Sequence, residues 1–327
     1  MKKNIILTCA IFVVAFFASC NNQDSQIAEV KTPESADSQE MVKLLENLNA
    51  YNDAFYQEHS NLFVQEKAIT RAWGWGRWLR LIWDDARGAM RGAKYGGWGA
   101  LAGAAICSLF SALEEDAIVE THPMHGNIIG GPINEPNENG HLDPIDETVP
   151  DRATFLEYTL LSVSLPMCAD SVGYYHNSIL YDYCVGNSLA LDTALYVSAI
   201  CNQAEAMSAN GRGTTTNAQL LEELEFSQFA SIYPTLKNKT SFASFVEDFE
   251  ELFDDDPTEV AFLKNYVETL AGLDQDENDG SYAEGVLTLI SNSQLSTDAK
   301  KRLGEAVITG NASAKLWNIE KNLLNSH

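Results

Sequence analysis

Apolar side chains recur at three- and four-residue steps along most of this chain, the period of a helix that buries one face. The spacing predicts a helix capped by Ser38, with Met41, Leu44, Leu45, Leu48, Tyr51, Phe55 and Tyr56 on its apolar side. A second helical stretch covers about Leu62 to Leu113 and is interrupted or bent near Trp73-Gly74-Trp75-Gly76. Phe155, Tyr158, Leu161 and Leu165 mark a third, halted by Pro166, and Val172, His176, Leu180 and Cys184 a fourth, closed by Gly186. Leu189 to Met207, Leu220 to Tyr233 ahead of Pro234, Phe242 to Phe253, Val260 to Leu273, Val286 to Ile290 and Leu303 to Leu324 complete the set. Asp256-Pro257-Thr258-Glu259 joins a capping Asp, a first-turn Pro and a Glu at N3, a strong helix start.

Strand-like alternation is nearly absent. Glu114 to Pro150 holds five of the nine prolines with Gly126, Gly130, Gly131 and Gly140, a mix that sustains neither a helix ladder nor a central strand. The expectation is an all-α fold: a bundle of antiparallel helices with a Gly/Ala-rich helical hairpin and one long irregular loop. The organisation follows as a leader over 1–19, a polar tether over 20–37, a helical region over 38–114, the irregular loop over 115–150 and an acidic helical domain over 151–327.

Tyr95 to Leu113 is nineteen residues without a charge, long enough to cross a bilayer. Small side chains follow one another at four-residue steps: Gly88, Gly92, Gly96, Ala100, Ala104, Ser108 and Ala112, with Gly99, Gly103, Cys107 and Ser111 beside them. A face with so little bulk lets another helix backbone approach closely. Five of the six tryptophans, Trp73, Trp75, Trp78, Trp83 and Trp98, lie in or just before this stretch. Lys67, Arg71, Arg77, Arg80, Arg87, Arg91 and Lys94 are opposed between 67 and 113 only by Asp84 and Asp85, a net charge of +5. Trp and basic residues beside an apolar stretch are what a headgroup-level helix needs. The segment resembles glycine-zipper segments and is similar in composition to the mature peptides of some two-peptide bacteriocins. Three roles stay open for it: a close-packed hairpin inside a soluble domain, a membrane-association element, or a membrane span.

The whole chain carries a net charge of −25, which repels phosphate backbones and excludes nucleic acid as a general partner. Met1, Lys2 and Lys3 precede an apolar run from Ile5 to Phe17 that ends in Phe17-Ala18-Ser19-Cys20. This resembles the lipobox of bacterial lipoproteins. The resemblance implies cleavage before Cys20, a diacylglycerol on its thiol and a fatty acyl group such as palmitate on its new amine. It thereby implies a lipid-anchored protein of the cell envelope, in the outer membrane and facing either the periplasm or the cell surface. Asn21-Asn22-Gln23-Asp24 is similar to export signals of surface lipoproteins in Bacteroidetes-type bacteria. Gly173-x-x-His176-Asn177-x-x-Leu180, with Ser313-x-x-x-Trp317, is similar to stretches of uncharacterised secreted proteins of such bacteria and implies no activity.

No GxSxG, P-loop or dinucleotide fingerprint is present in the sequence. His122, His125 and His141 with Asp143, Asp146 and Glu147 form a candidate metal set, but they sit in the irregular loop without a companion general base. Asp274 to Gly280 misses the calcium-loop count, its Gly standing seventh rather than sixth. The reading is therefore a non-enzymatic protein with no cofactor and no metal. Its small-residue face serves membrane association or helix–helix self-association. A bacteriocin-like membrane-permeabilising protein is one alternative, and a metal-dependent enzyme using the loop histidines is another. Cys168, Cys184 and Cys201, at sixteen- and seventeen-residue steps, are read as holding one disulfide among them or, alternatively, as small buried hydrophobes.

Overall fold

A computed structural model describes residues 36–63, 75–116, 156, 168, 172–184, 193–208, 211, 213–239, 241–253 and 255–325, all within the compact unit Ala36–His327. The described part is all-α. Its helices are α1 (Ala36–Glu58), α2 (Trp75–Gly92), α3 (Gly96–Asp116), α4 (Val172–Cys184), α5 (Thr193–Met207) and α6 (Asn217–Glu223). They continue as α7 (Phe226–Leu236), α8 (Phe242–Leu252), α9 (Pro257–Gly272), α10 (Ser281–Asn292) and α11 (Thr297–Asn325). Extended pairing among the described residues is limited to one antiparallel bridge between Phe63 and Leu273.

The hairpin of α2 and α3 forms the centre. α11 lies along α2, α4 and α5 lie on α3, and α9 also reaches α2. α1 packs outside on α9 and α10, burying Met41, Leu44, Leu48 and Phe55 and leaving Tyr56 exposed. Its first turn is tied down by Asp37, which accepts from the Ser296 backbone N–H at 2.8 Å and from the Ser296 hydroxyl at 2.6 Å. The start of α9 forms as its sequence predicts. Asp256 Oδ1 accepts from the N–H groups of Thr258 at 2.8 Å and Glu259 at 3.1 Å, satisfying two donors that the first turn leaves orphaned.

Four expectations need correction. The stretch Leu62 to Leu113, expected to be interrupted or bent near Trp73–Gly76, breaks within its described part at Ala93–Tyr95, a 3-10 turn, and at Gly96, whose φ of 83° reverses the chain into the hairpin. Only glycine adopts that backbone without strain. The row of small residues from Gly88 to Ala112 is therefore two stripes on two helices, not one face. Leu220 to Tyr233 is likewise split into α6 and α7 at Glu225, and α7 runs through Pro234 to Leu236, where the ladder is already ending. The expected disulfide is not formed among the described residues, where Cys107, Cys168 and Cys201 are in the reduced state and Cys201 is a buried apolar side chain. They have different neighbours, since the Cys168 thiol donates to Lys301 O while the Cys201 carbonyl takes the Trp98 indole.

Candidate functional site

The two arms of the hairpin touch backbone to backbone. A Cβ on Gly88 would lie 2.5 Å from the carbonyl oxygen of Gly103, and one on Gly92 would strike that of Gly99. Gly99 and Gly103 meet Gly92 and Gly88 in return, so the crossing is antiparallel and has no room for any side chain. This closeness brings the polar residues of α2 within reach of hydroxyls on α3. Ser111 Oγ donates to Asp84 Oδ2 at 2.6 Å.

Helix α2 is the most strongly amphipathic of the described helices, and such a pattern normally marks a surface helix. Here Trp78 to Met90 is buried throughout, including Arg80, Asp84, Asp85 and Arg87. The charged face meets a polar layer built by its neighbours. Asp85 Oδ2 accepts from Ser313 Oγ at 2.6 Å and from Trp317 Nε1 at 3.1 Å, both on α11. His176 Nε2 of α4 stands 3.5 Å from the same oxygen. Gly173 makes this approach possible, because a Cβ there would lie 2.8 Å from the Ala312 methyl.

The tautomer of His176 follows from its neighbour. Asn177 Nδ2 donates to Ala312 O at 2.9 Å, which leaves Asn177 Oδ1 to accept from His176 Nδ1 at 2.9 Å. With its proton on Nδ1, a neutral ring would turn a lone pair toward Asp85. At 3.5 Å that contact is an ion-pair distance rather than a hydrogen bond, and Nε2 has no hydrogen-bond partner. Burial pushes the Asp85 carboxyl up, and His176 with the Ser108, Ser313 and Trp317 donors pull it partly back. Ser108 acts at longer range, since its Oγ has no partner at hydrogen-bond geometry. Burial holds Asp84 well above the usual carboxylate range, and the charge of Asp85 adds to this against the Ser111 bond. The layer is incompletely satisfied: Asp84 Oδ1, Asp85 Oδ1, Thr309 Oγ1 and Asn311 Oδ1 are buried without a hydrogen bond.

Toward its turn the hairpin is gripped by carboxylates. Arg87, 2% exposed, lies 4.6 Å from the Phe249 ring centre and 4.5 Å from that of Phe253, and its Nε donates to Asp255 Oδ2 at 2.8 Å. Arg91 Nη1 donates to Asp255 Oδ1 at 2.9 Å and to Glu225 Oε2 at 2.8 Å, while its Nε donates to Glu223 O at 2.5 Å. Lys94 Nζ reaches Glu223 Oε2 at 2.5 Å. Glu225 holds a left-handed backbone at φ 50°, the only non-glycine residue with positive φ among those described.

The residues singled out in the sequence are placed as follows. Gly88, Gly92, Gly99 and Gly103 form the crossing, Gly96 forms the turn, and Ala100, Ala104 and Ser108 are buried along α3. Trp78, Trp83 and Trp98 are buried, with Trp98 Nε1 donating to Cys201 O at 3.1 Å. Trp75 opens α2, and Trp73 lies outside the described residues, as do Cys20 and the loop histidines His122, His125 and His141. Among the described residues no three His, Cys, Asp or Glu side chains gather for a metal. In the acidic loop at 274–280, Asn278 and Asp279 spend their side chains accepting from the backbone N–H groups of Gly280 and Ser281. The sequence-stretch likeness around His176 and Ser313-x-x-x-Trp317 involves residues that converge on Asp85. Periodicity missed Asp85 itself and the clasp of Glu223, Glu225 and Asp255. The available signal was an Asp pair set inside the apolar run Trp78 to Ala86. No family model, no curated protein and no solved structure matches this chain.

Proposed function

We propose that this protein is a non-enzymatic, lipid-anchored protein of the cell envelope, and that its α2–α3 hairpin is a membrane-association element held inside the acidic domain. The observation that carries this reading is the position of α2. A helix with the pattern of an interface lies at the centre, its charged face turned inward on a polar layer with unsatisfied atoms. Buried charges with imperfect partners detract from stability, so a helix serving only as core would be better built from apolar residues. A water–lipid boundary suits the same pattern, with Trp78 and Trp83 at headgroup level and the arginines on anionic lipid. The stretch Gly76–Glu114, which takes in both arms of the hairpin, contains a window long and apolar enough for a bilayer, 83% of it buried. An acyl chain on Cys20 supplies the first attachment and the hairpin the second.

Palmitate labelling and carbonate extraction of cells expressing the wild type and Cys20→Ala test both parts. The wild type is expected to take the label, and the variant to lose it while a fraction resists extraction. A variant released completely by carbonate would leave the hairpin without a membrane role, and an unlabelled wild type would remove the anchor.

The enclosed apolar arm also supports a second reading, that the hairpin permeabilises membranes. A peptide covering Ala72 to Leu113 is then expected to release dye from anionic vesicles. Intact vesicles at micromolar peptide would exclude it.

A further inference from the structure

We infer that Glu223, Glu225 and Asp255 form an autoinhibitory clasp on the hairpin, and that an anionic lipid surface opens it by offering its phosphates to Lys94, Arg91 and Arg87. The inference rests on the membrane-association reading above. The three basic residues lie along the turn end of the hairpin, and each ends on a carboxylate of one small neighbourhood. Those carboxylates belong to the α6–α7 junction and the segment between α8 and α9, elements that must part from the hairpin for it to leave. The pairs are graded in exposure: the Lys94 side chain is 59% exposed, Arg91 14% and Arg87 2%. A phosphate surface therefore meets Lys94 first, then Arg91, and reaches Arg87 only after Asp255 has yielded.

Two further features fit a contact made to open. Glu225 keeps its carboxylate on Arg91 and Arg87 from a left-handed backbone that a non-glycine residue holds only under constraint, so release relaxes the chain there. Behind the clasp the polar layer leaves Asp84 Oδ1, Asp85 Oδ1, Thr309 Oγ1 and Asn311 Oδ1 without hydrogen bonds, so opening forfeits the bonds from Ser111, Ser313 and Trp317 but frees these atoms to be solvated. The recognised chemistry is the phosphate monoanion or dianion, by guanidinium and ammonium donors. A lipid surface presents many of these at once, beside an apolar phase that receives α3.

The test uses the full mature chain carrying Cys20→Ala, so that acylation does not mask the hairpin. Five of the six tryptophans lie at or near the hairpin, so quenching by brominated acyl chains reports its arrival in lipid. The wild type is expected to be quenched on phosphatidylglycerol vesicles and not on phosphatidylcholine vesicles. The lipid concentration for half-maximal quenching should fall about twofold in Glu223→Gln and about tenfold or more in Asp255→Asn. Inorganic phosphate without vesicles should leave the emission unchanged; a shift would make free phosphate the ligand and overturn the lipid-surface inference. Quenching of the wild type and both variants at one lipid concentration would overturn the clasp while leaving membrane association standing. No quenching in any of them would overturn both. Should Asp255→Asn be quenched on neutral vesicles as well, it has unfolded, and Glu223→Gln, at the solvent end of the clasp, decides alone.

Discussion

Asp84 and Gly92 show opposite ways in which one residue constrains this core. Burial raises the Asp84 carboxyl above its unfolded value, so the folded chain holds that proton more tightly than the unfolded one. Its contribution to stability is complete in acid, below the ordinary Asp range, and is lost as pH climbs through the raised value. Asp84→Asn keeps an acceptor for Ser111 and cannot ionise. Between about pH 5 and about pH 8 its melting temperature should fall less steeply than that of the wild type, and it should be the more stable protein at the upper end. Asp85, Glu259 and Glu268, displaced in the same direction, contribute to the slope that remains. Equal slopes for wild type and variant would show that Asp84 titrates as an exposed carboxyl. At Gly92 the constraint is volume. The Gly99 carbonyl occupies the place of a Cβ and is backbone, so it cannot swing aside. Gly92→Ala should lose about 3 kcal/mol or more in urea denaturation. Gly76→Ala, whose new methyl would face the flexible end of Arg80 at 3.2 Å, should be neutral or stabilise by about 0.5 kcal/mol. Similar midpoints for the two variants would contradict the crossing geometry.

At the level of elements, what could be read in advance was what local chemistry determines. The start of α9 was legible because Asp256, Pro257 and Glu259 act within one turn of each other. Asp256→Ala should cost about 1 kcal/mol, seen as a shift of the denaturation midpoint without a change of slope. An unchanged midpoint would mean that the cap is redundant with the packing of α9. The helical faces of α1, α4 and α8 were legible for the same reason, their apolar steps being regular. The break at Glu225 was not, because no local signal marks a glutamate for a left-handed conformation, and its ion-pair partners Arg87 and Arg91 are far away in sequence. Nor was the division of the small-residue row. A four-residue step passes through Gly92 and Gly96 without interruption, and only the turn at Ala93–Tyr95 shows that the stripes face each other. The candidate site was half legible. The glycines, tryptophans and arginines were named, but the amphipathic pattern of α2 pointed outward, and its burial depends on partners supplied by α4, α11 and the α8–α9 segment.

Across the whole molecule, the charge distribution and the packing describe one arrangement. The hairpin region carries +5 between residues 67 and 113 in a chain of net −25, and part of that excess is neutralised internally by Glu223, Glu225 and Asp255. The helices around it share the hairpin as their common core, so in solution α2 and α3 should exchange their amide hydrogens most slowly, with the portion of α11 that lies on α2 close behind. A hairpin that moves into lipid reverses part of that order. α3 remains shielded by hydrocarbon, whereas α4, α5 and α11 lose the surface against which they are buried. Hydrogen exchange of the unlipidated chain with phosphatidylglycerol vesicles should therefore show faster exchange in α4, α5 and α11 and continued protection in α3. Protection retained together in all four helices would mean that the bundle sits on the membrane closed. Protection lost from all four would mean that the domain unfolds on contact. Only divergence between α3 and its covering helices corresponds to a hairpin leaving its sheath, because only then does the apolar arm exchange one buried environment for another.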